Sequence, residues 1–404
     1  MATVHPFRAL RPRPDAAERV AAVPYDVVDR DEARRLAEGN PFSFLHVSRA
    51  EIDLPDATDP YSEAVYRRAA ESFAALKTRA LVVEDEPAMY FYRLRMGAHE
   101  QIGLAASFSL DEYDRDVIKK HERTRRDKED DRTRHMLALG AQTGPVFLTY
   151  RSDRTIGVIT ERVVAREPLF DFTAPDGVRH TLWRIAGAEG EEVVRAARRI
   201  PAMYIADGHH RAASAARTRD ELLNGGPPRP EAALFLAVAF PHSQVQILPY
   251  NRTVKDLGGL DAASFMAAVS ERFDVAPGPA APGSRGEIAM YLQGRWLTLT
   301  PRAKPDASDA IASLDVSVLQ DQLLAPVLKI ADVRTDKRID FVGGARGTTA
   351  LEQAVDSGKS AVAFSLFPVS VEELMAVSDA GAIMPPKSTW FEPKLRDGLL
   401  IHVI

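Results

Sequence analysis

The segment Ile205-Ala206-Asp207-Gly208-His209-His210-Arg211 brings a carboxylate, a glycine, two histidines and an arginine together in a short stretch. The apolar run before it, 202–206, reads as a short buried strand. The alanine-rich run after it, 212–216, favours a helix. Gly208 suits the tight turn between them. Such a turn aims backbone N–H groups and the positive end of a helix dipole at one point, and that point suits a phosphate. Asp207 offers an oxygen ligand for Mg²⁺ beside it. The chemistry implied is handling of a phosphorylated nucleotide. The loop is too short for a Walker A motif and lacks its Lys-Ser/Thr ending. Asp-Gly at a helix start also occurs as a plain turn. Zinc at Asp207, His209 and His210 is disfavoured, because adjacent side chains point apart, and His121-Glu122 has no histidine at the zincin spacing.

A second candidate is the run from Lys119 to Asp131, dense in both charges. Charge runs are commonly solvated helix faces. Here Arg123, Arg125 and Arg126 supply guanidinium forks suited to phosphates. Glu122, among these cations, stays ionised and can accept a proton from a substrate hydroxyl, with His209 as the next candidate base. Phosphoryl transfer needs cations on the migrating group, a metal and a base. The two segments supply all three if the fold unites them. A third segment lies near the C-terminus, where Lys387 can face phosphate, Ser388 and Thr389 offer hydroxyls, and Trp390 either closes a lid or anchors the last strand.

These residues need elements to hold them. A helix is expected over 29–38, with Asp29 as N-cap and Gly39 as stop. A strand is expected over 42–47. Val65, Ala69, Phe73 and Leu76 predict an amphipathic helix over 61–79. Residues 88–94 and 102–109 alternate as two antiparallel strands around Gly97. A helix over 132–139 ending at Gly140, strands over 145–150 and 180–185 and a helix over 191–199 lead to the Asp207 turn. Residues 234–240, apolar on both faces, predict a central strand. The Pro/Gly/Ala stretch 276–283 is a loop or hinge. A hairpin over 287–300, helices over 316–325 and 371–378 and a strand over 361–367 complete the pattern.

With 404 residues, 45% hydrophobic and 27% charged, two or three domains of ordinary globular type are expected. The net charge of −5 and the lack of a helix-turn-helix pattern argue against a nucleic-acid partner. There is no cysteine, which excludes disulfides and thiolate chemistry. No apolar run approaches a membrane span of roughly 18 residues, and the N-terminus lacks the apolar core of a signal peptide. The expectation is a cytoplasmic protein with no membrane partner, its oligomeric state left open.

The chain also carries Pro24-Tyr25-Asp26-Val27, Lys120-His121-Glu122-Arg123-Thr124, Lys128–Arg132, the Asp207 motif, and Pro385-Pro386-Lys387-Ser388-Thr389-Trp390-Phe391-Glu392-Pro393-Lys394. On these it resembles an uncharacterised bacterial and archaeal family. Residues 100–220 resemble the ParB/sulfiredoxin-type nucleotide-binding fold, whose Gly-x-x-Arg-like turn is matched by Gly208 to Arg211. The resemblance implies an α/β (mixed α+β) fold: a ParB/sulfiredoxin-like core over 96–255, flanked by α+β regions over 1–95 and 256–404. It is similar to the free-serine kinases, which phosphorylate L-serine with ATP or ADP. That similarity implies a Mg²⁺-dependent kinase of a small hydroxylated acceptor. Glu122, His209 and Asp207 would be catalytic, with Asp207 also the metal ligand. Gly208, His210, Arg211, Arg123, Thr124, Arg125, Arg126, Lys387, Ser388 and Thr389 would hold the nucleotide. The alternative is a ParB-type nucleotide switch or partner-binding protein without kinase activity.

Overall fold

The computed structural model describes residues 2–227, 229–306 and 308–404. The chain is a mixed α/β protein of two compact units, Met1–Val245 with Pro393–Ile404, and Gln246–Glu392.

The first unit is built on a nine-stranded sheet. Its strands are β1 (Val4–His5), β2 (Met89–Met96), β3 (His99–Ser109), β4 (Ile118–Lys119), β5 (Val146–Tyr150), β6 (Phe170–Thr173), β7 (Arg179–Ile185), β8 (Met203–Asp207) and β9 (Leu234–Pro241). They run in the order β4-β8-β5-β9-β3-β2-β7-β6, with β1 paired to β3. β4 is parallel to β8 and β5 to β9, while the other pairs are antiparallel. The β2–β3 hairpin turns at Gly97, which takes the positive φ expected there. β9 lies inside the sheet and buries Phe235 to Phe240 on both faces, as its unbroken apolar run predicts. The β8–β5 register slips at its end: Ile205 pairs with Leu148 and Asp207 with Phe147, leaving Ala206 as an extra residue. Such a bulge re-aims the side chains that follow it.

Three helices matter to the site: α1 (Glu63–Arg79), α2 (Arg126–Leu139) and α3 (His209–Gly225). α1 buries Val65, Ala69, Phe73 and Leu76, the stripe its spacing predicts. α2 ends at Gly140 in the left-handed conformation but begins six residues before the expected Arg132. The charged run makes its first turns because α3 supplies partners. Arg217 pairs with Glu129 (3.4 Å) and Asp130 (2.6 Å), and the Ser214 hydroxyl donates to the Glu129 carbonyl. The small side chains Ala212, Ala215 and Ala216 enter the main core with Ile205 and Val146, so α3 lies close on the sheet.

The 29–38 helix forms as Arg30–Ala37, closed by a capping box between Asp29 and Glu32. The expected strand over 42–47 is absent, and a short helix, Leu45–Ser48, stands there. Phe44, Leu45 and Val47 are all buried, and a run buried on every side carries no period to separate strand from helix. Residues 393–404 return to the first unit. Leu10 and Ile401 exchange backbone hydrogen bonds at 3.0 Å, Ala22 and Asp397 do so at 3.2 and 2.9 Å, and His402–Val403 pairs with Ala141–Gln142.

The second unit has a six-stranded antiparallel sheet in the order Phe273–Pro277, Arg295–Pro301, Ile288–Leu292, Val362–Leu366, Tyr250–Val254, Ile339–Gly343. Its first and last strands, Gln246–Leu248 and Trp390–Glu392, form a separate antiparallel pair. The compact units therefore divide the chain differently from the expected boundaries at 95/96 and 255/256. The β2–β3 hairpin runs across the first boundary. Tyr250–Val254 belongs to the second unit's sheet, and the chain's last segment to the first unit.

Candidate functional site: four chain segments at one helix N-terminus

β8 delivers Asp207 to the sheet edge, and Gly208 turns the chain with φ +93° into α3. A Cβ on Gly208 would stand 3.3 Å from Arg211 Nε and 3.4 Å from Val146 Cα in a conformation L residues avoid, so glycine is required here. Among the described residues no side-chain cap closes the start of α3, so its first N–H groups point out from an uncapped helix terminus.

The charged 119–131 segment lies against this turn. The His121 N–H donates to His209 Nε2 (3.4 Å) and the Arg125 N–H donates to His210 Nε2 (3.0 Å). Both histidines accept, so both are held neutral, with the ring proton on Nδ1. Burial pushes both below the ordinary histidine range. His209 Nδ1 faces Glu122 Oε2 at 3.8 Å. The rings of His121 and His209 meet edge to face at 4.5 Å, and burial lowers His121 to about 4. The Glu122 side chain is 47% exposed, so it can meet a substrate. Of the arginines, Arg125 pairs with Asp127 (2.7 Å), while Arg123 and Arg126 are exposed and make no ion pair among the described residues. The Thr124 hydroxyl donates to Glu129 and closes the loop before α2.

Beneath the turn lies a buried ionic layer. Arg211, 5% exposed, folds inward, donates to the Pro145 carbonyl and sits 3.7 Å from Asp26. Burial opposes its charge, but Asp26, Asp207 and Asp397 hold its pKa above the ordinary guanidinium range. Its Nε is buried without a hydrogen-bond partner among the described residues. Asp207 pairs with Lys394 (2.9 Å). Burial would raise its pKa, but Lys394 and then Arg211 hold it well below the carboxylate range. Asp397, 3% exposed, rests against Gly144, where a Cβ would approach its Oδ1 to 2.7 Å. Burial drives this carboxyl up to about 7; Arg211 opposes that rise and Asp26 adds to it. Arg132 pairs with Asp131 (2.7 Å) and stacks over Tyr25, while the Tyr66 hydroxyl donates to Asp131.

The fold thus unites the two segments whose joining sequence alone left open: Glu122, Arg123, Thr124, Arg125 and Arg126 with Asp207, Gly208, His209, His210 and Arg211. Lys387, Ser388 and Thr389 belong to the second unit. There the Lys387 carbonyl accepts from Arg252 (2.9 Å), the Ser388 hydroxyl donates to the Pro385 carbonyl (2.6 Å), and Trp390 packs on Tyr250 and Gly343. Asp26, Lys394 and Asp397 went unread as site residues. Asp26 and Lys394 lie in segments that carry the family resemblance, but neither was given a role there, and Asp397 had no signal beyond its charge. For Mg²⁺, no group of three His, Cys, Asp or Glu is arranged for a metal among the described residues. Asp207, the ligand expected from sequence, is paired with Lys394 in this structure. No described helix is long and apolar enough to cross a membrane.

Solved structures with a similar trace share little sequence with the chain. A free serine kinase variant in complex with AMP is 13% identical, with 72% of this chain and 91% of that one covered and a TM-score of 0.38. A conserved hypothetical protein from Pyrococcus furiosus is 13% identical, with 73% and 94% covered and a TM-score of 0.36. SbnI with a C-terminal truncation, from Staphylococcus aureus, is 12% identical, with 72% and 85% covered and a TM-score of 0.39. No curated protein matches the chain. A family profile matches residues 4–317, and the chain belongs to that family, described as a protein of unknown function, DUF1015.

Proposed function

We propose that this protein transfers a phosphoryl group from ATP or ADP, brought with Mg²⁺, to a small hydroxylated metabolite, free L-serine among the candidates. The observation that carries the reading is the pair of histidine acceptors. His209 and His210 tie the Glu122 loop to the uncapped, glycine-led start of α3. A carboxylate and exposed guanidinium groups thereby come to a phosphate-binding terminus. The ParB/sulfiredoxin-type motif resemblance points the same way.

In this reading the N–H groups of α3 take the phosphate, with Gly208 allowing close approach. Arg211 adds positive charge from beneath and shapes the turn, and His210 and Thr124 fix the loop above. Arg123 and Arg126 neutralise the migrating group, with Arg125 tied to Asp127 behind them. Mg²⁺ brought with the nucleotide would supply charge neutralisation at the phosphates, and Asp207, on release from Lys394, would be its protein ligand. The Glu122 carboxylate takes the proton of the acceptor hydroxyl as its oxygen bonds to the terminal phosphorus. The bond to the bridging oxygen breaks, and the shortened nucleotide leaves with that oxygen. His209, neutral with its Nδ1 toward Glu122, orients the carboxylate.

The test is nucleotide consumption with and without L-serine and a panel of small hydroxylated acceptors. Turnover that rises with one acceptor supports the kinase. Tight nucleotide binding with no acceptor dependence favours the switch, and no nucleotide binding overturns both.

A further inference from the structure

Arg252 is the largest fully buried side chain among the described residues, at 2% exposure. A buried guanidinium ordinarily has a carboxylate partner, because an unpaired charge is costly to desolvate. Arg252 has none among the described residues. It donates to the Tyr250 and Lys387 carbonyls, and its guanidinium lies 5.5 Å from the Phe341 ring. The carboxylates that line a cavity with Tyr250 and Ser388 have partners of their own, since Glu373 pairs with Arg285 (2.8 Å) and Asp315 accepts the Gly286 N–H (2.9 Å).

The residue that Arg252 grips is itself unusual. Lys387 has φ +58°, a left-handed conformation that costs a residue with a Cβ. Two prolines precede it, and the Ser388 hydroxyl closes the turn onto Pro385. The exposed Lys387 ammonium, 5.4 Å from the Tyr250 ring, makes no ion pair among the described residues. Two cations with no ion-pair partner among the described residues therefore lie against two neighbouring rings, Arg252 by Phe341 and Lys387 by Tyr250, on a turn that is both strained and clamped.

We propose that the Pro385–Thr389 turn is a phosphoryl-binding site within the second unit, in which Lys387 contacts the anion and Arg252 is its positioning residue. The choice of a phosphoryl group over other anions rests on the phosphoryl-transfer reading. Arg252 holds the Lys387 carbonyl and so keeps the backbone in the conformation that presents the ammonium. Its buried positive charge also lowers the cost of bringing in a dianion. The partly exposed Thr389 hydroxyl is the adjacent neutral donor.

The experiment is calorimetric titration of the full-length protein with inorganic phosphate, AMP and adenosine, with melting temperatures alongside. Lys387→Gly relieves the strained φ, so its melting temperature stays equal or rises. Its affinity for phosphate and AMP falls about tenfold or more, the scale of a charge-assisted contact. Arg252→Met removes the clamp and reproduces that loss with Lys387 still present. A Lys387→Gly variant that binds as wild type overturns the proposal. Phosphate and AMP both losing affinity indicates a site for the phosphoryl group itself, and AMP alone doing so a nucleotide site. Adenosine binding as tightly as AMP overturns recognition through phosphate. Arg211→Ala separates the two readings. If it leaves all binding intact while Lys387→Gly removes it, the helix-terminus site fails and this one stands; the reverse pattern removes this one.

Discussion

Arg211 spends its guanidinium inward, on Pro145 and Asp26, and this changes what its removal should do. Arg211→Ala should weaken nucleotide binding by about 1.5–3 kcal/mol, measured by calorimetry, and should also lower the melting temperature, because it removes the cation that most offsets the repulsion between Asp397 and Asp26. Glu122 is the opposite case, exposed and away from the buried layer. Glu122→Gln should keep nucleotide affinity and fold while acceptor-dependent turnover drops about 10²–10⁴-fold; turnover within a few-fold of wild type would return Glu122 to the surface. Asp397 predicts a pH signature. Its carboxyl, normally near 3.8, sits at about 7 in the folded protein. The native state therefore holds the proton longer than the unfolded chain, and stability falls as pH rises from about 4 to 7. Asp397→Asn removes that loss. Its stabilisation should be near its minimum at pH 4 and reach about 2–4 kcal/mol at pH 8, read from melting curves at the two values.

At the scale of elements, the decisive device is the loop 121–125, tied to the start of α3 through two neutral histidines. All three histidines here are depressed, His121 to about 4. Their contribution is full above the unfolded value of about 6.5 and is lost as pH falls below it toward the folded values. Acid should therefore free the loop, seen as a fall in the amide protection factor at Arg125 below pH 6. His210→Gln, which keeps an acceptor, should resist this where His210→Ala does not. Much of this region was legible in sequence. The turn was readable because Gly208 and the alanines that follow have strong local preferences, and the β2–β3 hairpin because its period is two. The start of α2 was misplaced because charges that look solvated are paired with α3 (Arg217 with Glu129 and Asp130), a partnership between distant segments. The helix at Leu45–Ser48 was read as a strand for want of a polar face. The meeting of Asp26, Lys394 and Asp397 at Asp207 and Arg211 left no local trace, since each pair joins remote parts of the chain.

At the scale of the molecule, the second unit is an insertion. Its first and last residues, Gln246 and Glu392, are Cα partners in one antiparallel pair, so its two ends lie about 4.5–5.5 Å apart. Replacing 246–392 by a short Gly/Ser linker should leave a first unit that unfolds cooperatively and still binds nucleotide at α3. Deleting 393–404 from the full chain should be far more damaging, although it removes fewer residues. It takes away Lys394, Asp397 and the buried Leu395, Leu399, Leu400 and Ile401. Calorimetric melting of the two proteins decides between these outcomes.

The return of residues 393–404 also sets an order in time. A ribosome makes the sheet, α3 and the His209–His210 ties before it makes the second unit, and Lys394 and Asp397 only after it. Domains generally fold as units during synthesis. Here the earlier unit waits, with Asp207 lacking its lysine and Leu10 its backbone bridge to Ile401, until the later one has emerged. A nascent chain stalled before residue 393 carries the nucleotide turn without the lysine that pairs with Asp207, so the site is completed last.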